Sequence, residues 1–166
     1  MAVPRHHKAH APSSVACGVI TISDSRTPET DDSGRLIRDM LAAAGHTVPV
    51  AAIVKDEADA ILAAVSRAAE TCDAILTNGG TGLATRDVTI PTLAPLLERT
   101  LPGFGELFRS LSYQEIGSAA LLSGALAGVF RGRLLVCLPG SPDACRLALE
   151  KLILPELGHA IGLLRR

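Results

Sequence analysis

The sequence predicts an α/β protein of three layers, with helices on both faces of a mostly parallel sheet and an antiparallel hairpin at one sheet edge. Three observations predict it. Short apolar runs rich in β-branched residues alternate with amphipathic segments of helical period, the order β-α-β-α-β that a parallel sheet with helical crossovers requires. The connections between them are only a few residues long. Late in the chain two further apolar runs flank Arg131-Gly132, a two-residue hairpin turn. Right-handed crossovers then make the sheet Rossmann-like.

The first strand is Val15 to Ser23, nearly all apolar and therefore covered on both faces. Leu36, Ile37, Met40 and Leu41 recur at helical spacing between Ser33 and Ala44, and Gly45 stands where a helix ends. Val48 to Val54 is the second strand. Glu57 to Thr71 is the second helix, with Ile61, Leu62 and Val65 on one stripe and Asp56 at its start. Asp73 to Thr77 is the third strand. Thr89 to Arg99 reads as a helix capped by Thr89, and Pro102-Gly103 as a break before a helix over Gly105 to Glu115. Gly117 to Leu122 adds a short helical turn. The hairpin strands are Ala125 to Phe130 and Arg133 to Leu138. Ser141 as cap and Pro142 at the first helical position start a helix over Asp143 to Leu154, and Pro155 begins or kinks a last segment to Leu164. Residues 1–14 read as a flexible tail containing His6, His7 and His10, and residues 15–166 as a single domain.

Composition excludes several classes of function. Sixteen Lys and Arg against seventeen Asp and Glu leave a net charge of −1, and Phe104, Phe108, Tyr113 and Phe130 are the whole aromatic complement. Neither a basic stripe nor a stacking platform for bases is present, so nucleic acid is not an expected partner. Cys17, Cys72, Cys137 and Cys145 form no Cys-x-x-Cys pair, which reads as buried reduced thiols in a cytoplasmic protein. No segment is of signal-peptide type or long enough to span a membrane, so no membrane association is expected. A serine hydrolase lacks its Gly-x-Ser-x-Gly elbow, and His46 and His159 have no relay partner nearby.

Chemistry concentrates on the loops after the strands, where open α/β sheets bind ligands. After the third strand, Gly79, Gly80, Thr81 and Gly82 form a turn in which the main chain can approach a ligand closely and point N–H groups at an anion. It is neither a Gly-x-Gly-x-x-Gly fingerprint nor a Walker loop, and its glycines equally suit a tight turn alone. Arg86 and Asp87 close that loop. Ser23, Asp24, Ser25 and Arg26 follow the first strand with Asp31 and Asp32, Lys55 and Asp56 follow the second, and Ser141 follows the last. Asp56 and Asp87 near bound phosphate are candidates to hold a divalent cation, usually Mg2+, or else cap the helices that begin beside them. Asp24, Asp31 and Ser141 face the same choice between ligand and cap.

Several spaced segments together resemble the MoaB/Mog family of molybdenum cofactor biosynthesis: Ile-Ser-Asp-Ser-Arg at 22–26, Val-Lys-Asp-Glu at 54–57, Thr-Asn-Gly-Gly-Thr-Gly at 77–82, Arg-Asp-Val-Thr at 86–89, Pro-Gly-Phe-Gly-Glu at 102–106 and Leu-Pro-Gly-Ser-Pro at 138–142. The run Phe-Arg-Ser-Leu-Ser-Tyr-Gln-Glu-Ile-Gly at 108–117 is similar to the short bacterial MoaB branch. The resemblance implies adenylylation of molybdopterin by Mg-ATP with release of pyrophosphate, or binding and carriage of molybdopterin without turnover. By the same resemblance Gly79, Gly80, Thr81 and Gly82 cradle phosphate, Asp56 and Asp87 serve the metal and the reaction, and Ser23, Asp24 and Ser141 line the pterin–nucleotide pocket. It also implies a homotrimer or hexamer, with the apolar segments of 104–130 as contact surface, and other cofactor-biosynthesis proteins as partners. Asn78 departs from the second threonine of many relatives, and Asp143 adds a negative charge beside Ser141.

Overall fold

The computed structural model describes residues 11–166, and His6, His7 and His10 lie outside the described residues. Six strands form one sheet in the order β2-β1-β3-β6-β5-β4. β1 (Ala16–Ile22), β2 (Thr47–Val54), β3 (Ala74–Asn78) and β6 (Arg133–Leu138) run parallel. β5 (Leu126–Phe130) is antiparallel to β6, and β4 (Arg99–Thr100) is antiparallel to β5. The expected mixed sheet with an antiparallel edge is therefore what the chain builds. Arg131 and Gly132 take positive φ of 50° and 72°, the mirror-image turn whose twist suits a hairpin.

Burial dictates the layering. On one face Ile37 and Leu41 of α1 (Asp32–Ala43), Phe108 of α4 (Pro102–Ile116) and Cys145, Leu157 and Ile161 of α5 (Pro142–Ala148) and α6 (Leu154–Leu164) pack on Val19, Leu76 and Val136. On the other, Ile61, Val65 and Ala68 of α2 (Ala58–Thr71) and Leu93 of α3 (Thr89–Leu93) pack on Ile20, Ile75 and Leu135. Each such aliphatic side chain removed from water contributes about 1.5–3 kcal/mol. Gly18 lets α2 come close, since a Cβ there would stand 3.1 Å from Ala68 Cβ. All four cysteines are free and buried, and burial first pushes the Cys17 and Cys145 thiols up to about 12.

Three expectations need correction. The segment from Thr89 to Arg99 is not one helix: α3 stops at Leu93, a 3-10 turn covers Ala94–Leu96, and β4 follows. Pro95 has no N–H to continue the α-helical ladder, and the chain leaves it as an edge strand. Pro102 does not break the chain but occupies the first turn of α4, where its fixed φ helps and its missing N–H costs nothing. Thr89 caps nothing, because Val88 is the residue preceding α3. Elsewhere prolines sit where physics allows: Pro49 falls where β2 carries one residue more than β1, on the outermost strand. Pro155 follows a π-helical turn over Leu149–Ile153 that widens the helix ahead of its ring. Residues 11–14, assigned to the tail, include Pro12, whose carbonyl lies against Gly158 of α6.

Candidate functional site

β1 lies between β2 and β3, so the chain leaves β1 toward one side through α1 and returns on the other after α2. That reversal opens a crevice at the strand ends. Beneath it, fully buried Asn78 at the end of β3 accepts from Ser33 Oγ at 2.8 Å and donates through Nδ2 to Thr21 Oγ1 at 3.0 Å. Thr21 in turn donates to Asp31 Oδ2 at 2.8 Å, and Asp31 Oδ1 accepts from the Gly34 N–H at 2.9 Å. Asp31 is thus the cap of α1 and a structural acid, only 1% exposed. Four buried polar residues lock β1, β3 and the start of α1 together under the site.

The glycine turn rests on this base. Gly79 and Gly80 take φ of 98° and 63°, and the Ile22 carbonyl occupies the place of a side chain at 79. Gly79 N–H donates to the Leu138 carbonyl at 3.0 Å. The two glycine carbonyls are held away from the crevice by Thr89, whose hydroxyl donates to Gly79 O at 2.9 Å and whose N–H donates to Gly80 O at 3.0 Å. Both carbonyls are thereby satisfied within the protein. Thr89 is therefore a support that the sequence showed only as a helix start. Thr81 is buried in the same turn, with Gly124 packed against its carbonyl, whereas Thr77 turns inward and is fully buried in β3.

Three carboxylates gather beside this turn. Asp56 does not cap α2, because Glu57 precedes that helix and no side-chain cap is made. Its backbone N–H donates to Asp24 Oδ1 at 3.2 Å, while Arg86 Nη1 stands 3.9 Å from Asp24 Oδ2. Partial burial, then the charge of Asp24, raises the Asp56 carboxyl above its ordinary value; Arg86 opposes the shift and Asp87 adds to it. Asp87 is likewise no helix cap: its Oδ2 accepts from the Ala84 N–H at 2.9 Å, tightening the loop after the glycines. A Cβ at Gly82 would stand 2.7 Å from that same Oδ2. Partial burial and the neighbouring Asp24 charge disfavour ionised Asp56, and a bound cation would relieve that.

The site residues expected from sequence fall in two clefts. Gly79, Gly80, Thr81, Gly82 and Asp87 line one of about 350 Å³ together with Ser141. Ser141 caps α5, accepting from the Ala144 N–H at 3.2 Å, which leaves its O–H to donate elsewhere. Ser23 and Asp24 line the other, about 660 Å³, against the edge of β2. Ser23 Oγ accepts from the Ser25 and Arg26 N–H groups at 3.2 Å each and so shapes its own loop. Asp56 touches both sets, through Asp24 and through Gly80. Sequence reasoning missed the far wall of the glycine cleft, Ala119, Leu122, Ser123 and Gly124, because a short 3-10 segment of small and apolar residues carries no chemical signal.

Comparison with known proteins identifies the family. The family described as "Probable molybdopterin binding domain" matches residues 18–159. Molybdenum cofactor biosynthesis protein B of Bacillus subtilis strain 168 is 51% identical over 165 residues, covering 98% of this chain and 97% of that protein. A crystal structure of a molybdenum cofactor biosynthesis protein B superposes with a TM-score of 0.91 at 50% identity, covering 94% of this chain and 99% of the other. The tungsten cofactor synthesizing protein MoaB from Pyrococcus furiosus gives 0.86 at 36% identity, with 94% and 100% covered. By sequence along nearly its whole length, and by a fold that places the glycine turn at the sheet's switch point, the chain belongs to the MoaB/Mog family of molybdenum cofactor biosynthesis, in its MoaB branch.

Proposed function

We propose that the chain is a molybdopterin adenylyltransferase. The observation that carries this reading is the crowding of Asp24, Asp56 and Asp87 against a turn of glycines whose carbonyls are tied back by Thr89. Gly80, Thr81 and Gly82 receive phosphate oxygens on main-chain N–H groups, Gly79 shapes the turn with its N–H held by the Leu138 carbonyl, and Ser141 donates from the far side of the same cleft. A phosphate oxygen of molybdopterin attacks the α-phosphorus of ATP; that P–O bond forms, the bond to the β-phosphate breaks, and pyrophosphate leaves with the electron pair. Such catalysis consists mostly of alignment and charge neutralisation, and side chains fixed by neighbours supply both.

The donor set fits Mg2+. Among the described residues no three His, Cys, Asp or Glu side chains converge as a closed metal cage. Open carboxylate sites completed by substrate phosphates and water are how this ion is ordinarily held. Asp56 and Asp87 are the residues that would hold it, and it would neutralise phosphate charge as the leaving group departs. The protein acts in the cytoplasm on this reading, and no helix of the described residues is long and apolar enough to cross a membrane. Leu107, Tyr113, Ile116, Leu121 and Leu122, exposed on α4 and the turn after it, form the surface through which it assembles as a homotrimer or hexamer.

The test is pyrophosphate release from Mg-ATP with and without molybdopterin. Release that requires molybdopterin supports the enzyme; tight molybdopterin binding with no release leaves a carrier in the same pathway.

A further inference from the structure

Two adjacent peptide planes of the glycine turn are held by one residue. Thr89 donates its hydroxyl to the Gly79 carbonyl at 2.9 Å and its N–H to the Gly80 carbonyl at 3.0 Å. In a trans peptide the C=O of one residue and the N–H of the next point in opposite directions. No peptide bond among the described residues is cis. Fixing the Gly79 carbonyl therefore fixes the Gly80 N–H, and fixing the Gly80 carbonyl fixes the Thr81 N–H. Because both carbonyls converge on Thr89, both N–H groups leave the turn on the side away from it. Gly80 and Thr81 line the cleft of about 350 Å³, and Thr89 does not. Neither N–H donates to a protein acceptor among the described residues, although Thr81 is only 9% exposed. Main-chain donors in such surroundings are nearly always paired. Gly79 differs from both, since its N–H is already spent on the Leu138 carbonyl at 3.0 Å.

We infer that Thr89 is a positioning residue that aims the Gly80 and Thr81 N–H groups, as a preformed pair, at a phosphate in the glycine cleft. The inference rests on the reading of that cleft as a phosphate site and adds what holds its donors in place. Gly79 and Gly80 carry no side chain and take positive φ, so nothing of their own prevents the two planes from turning over. A plane turned over would present a carbonyl oxygen to the phosphate in place of an N–H, and like partial charges repel. Thr89 excludes that alternative at two points. It can do so because it is fully buried at the start of α3, and because its β-branched side chain has few rotamers. A Cβ on Gly80 would stand 2.4 Å from the Thr89 hydroxyl oxygen, so only glycine lets the hydroxyl sit this close. Donors aimed before the ligand arrives need no reordering when it binds.

Amide NMR titration with inorganic phosphate tests the proposal in wild type, Thr89→Val and Thr89→Ser. In wild type the Gly80 and Thr81 amide resonances should move together with one dissociation constant, while that of Gly79 stays. Valine keeps the shape and the backbone N–H of Thr89 but removes the hydroxyl, so it frees the Gly79 carbonyl alone. Thr89→Val should therefore bind phosphate about tenfold more weakly and lose the response at Gly80, with the response at Thr81 retained. Thr89→Ser restores the hydroxyl and should restore the Gly80 response. Thr89→Ala removes the same hydroxyl with less bulk, and takes the place of valine if that variant does not fold. A hydroxyl-free variant with wild-type affinity and both responses intact overturns the proposal. Equal loss at both amides without rescue by serine also overturns it, because that is general loosening of the turn. Wild-type protein whose Gly80 and Thr81 amides ignore phosphate overturns it as well. These measurements need no turnover, so the two readings fail separately: a protein that releases no pyrophosphate can still show the selective Gly80 effect, and an active one can lack it.

Discussion

A methyl group on Gly80 would stand 2.7 Å from Asp56 Oδ1 and would collide with the Thr89 hydroxyl. The acid and the threonine thus fill the space that the missing side chain leaves, and the turn, its support and a candidate catalytic group are one packed unit. Gly80→Ala should therefore do two things together. Its φ of 63° is unfavourable for alanine, and the collision displaces Asp56 or Thr89; the expected destabilisation is about 1–3 kcal/mol. Calorimetric melting should show the loss, with pyrophosphate release falling further than the folded fraction does. An alanine variant with unchanged melting and turnover would show that the contact has no consequence.

Asp87 should behave differently. Its carboxylate accepts from the Ala84 N–H, a role that the amide oxygen of asparagine can also fill. Asp87→Asn should melt close to wild type yet lose about 10²–10³ in turnover, the scale seen when one charge-stabilising group is removed. Equal turnover in the variant would move the chemistry away from this acid.

Asp56 gives a prediction whose sign is set by its raised pKa. Burial and Asp24, reinforced by Asp87, make ionised Asp56 less favourable in the folded chain than in the unfolded one. The folded state holds its proton more tightly, so Asp56 costs stability above its folded pKa, and that cost vanishes as pH falls below the unfolded value of about 3.9. Asp56→Asn should accordingly melt higher than wild type at pH 7.5, the gain shrinking toward zero in acid, while pyrophosphate release is lost. Mg2+ should raise the melting temperature of wild type more than that of the variant. A variant that melts lower than wild type at neutral pH would contradict the crowding.

His46 acts in the opposite direction and far from the site. Its Nδ1 accepts from the Val15 N–H at 3.2 Å, and burial lowers its pKa. Protonation removes the acceptor, so the unfolded chain binds this proton more readily. The stability His46 contributes is complete above its unfolded pKa, about 6.5, and is lost as pH falls through the lower folded value. Wild type should lose melting temperature between pH 7 and 5 by more than His46→Gln does; parallel curves would rule the histidine out.

How far the sequence disclosed this molecule depends on the reach of the interactions involved. Period and turn chemistry are local, so β1, β3, the Arg131-Gly132 hairpin and the Ser141-Pro142 helix start were legible to within a residue or two. β4 was not, because a two-residue edge strand exists only through its pairing with β5. The acids and glycines were legible as residue types near strand ends. Their division of labour was not: Asp31 turns out to be the buried cap, and Asp56 no cap at all, and this is decided by where α1 and α2 begin. Thr89, tying back two carbonyls ten and nine residues earlier in the chain, and the Ala119–Gly124 wall are tertiary facts without a local signature.

Asn78 offers the sharpest test of the base beneath the site. Its amide accepts from Ser33 and donates to Thr21, while Thr21 donates to Asp31, so each group has one fixed role in a buried network. Asn78→Asp keeps the shape and removes the donor. It places a second carboxylate near Asp31, whose ion-pair partner among the described residues is Arg38, 3.9 Å from Asp31 Oδ2. An uncompensated buried charge of this kind costs about 3–5 kcal/mol at neutral pH. The cost should fall as the pH drops and the new acid protonates, because a protonated carboxyl regains the O–H that can donate to Thr21. Asn78→Thr can satisfy only one of the two neighbours and should cost about 1–3 kcal/mol with little pH dependence. The order wild type, threonine, aspartate in urea midpoint at pH 7.5, with aspartate alone recovering at pH 5, is the expected result. If aspartate is tolerated at neutral pH, water or a cation must reach the network, and the base of the glycine turn is open to the crevice above it.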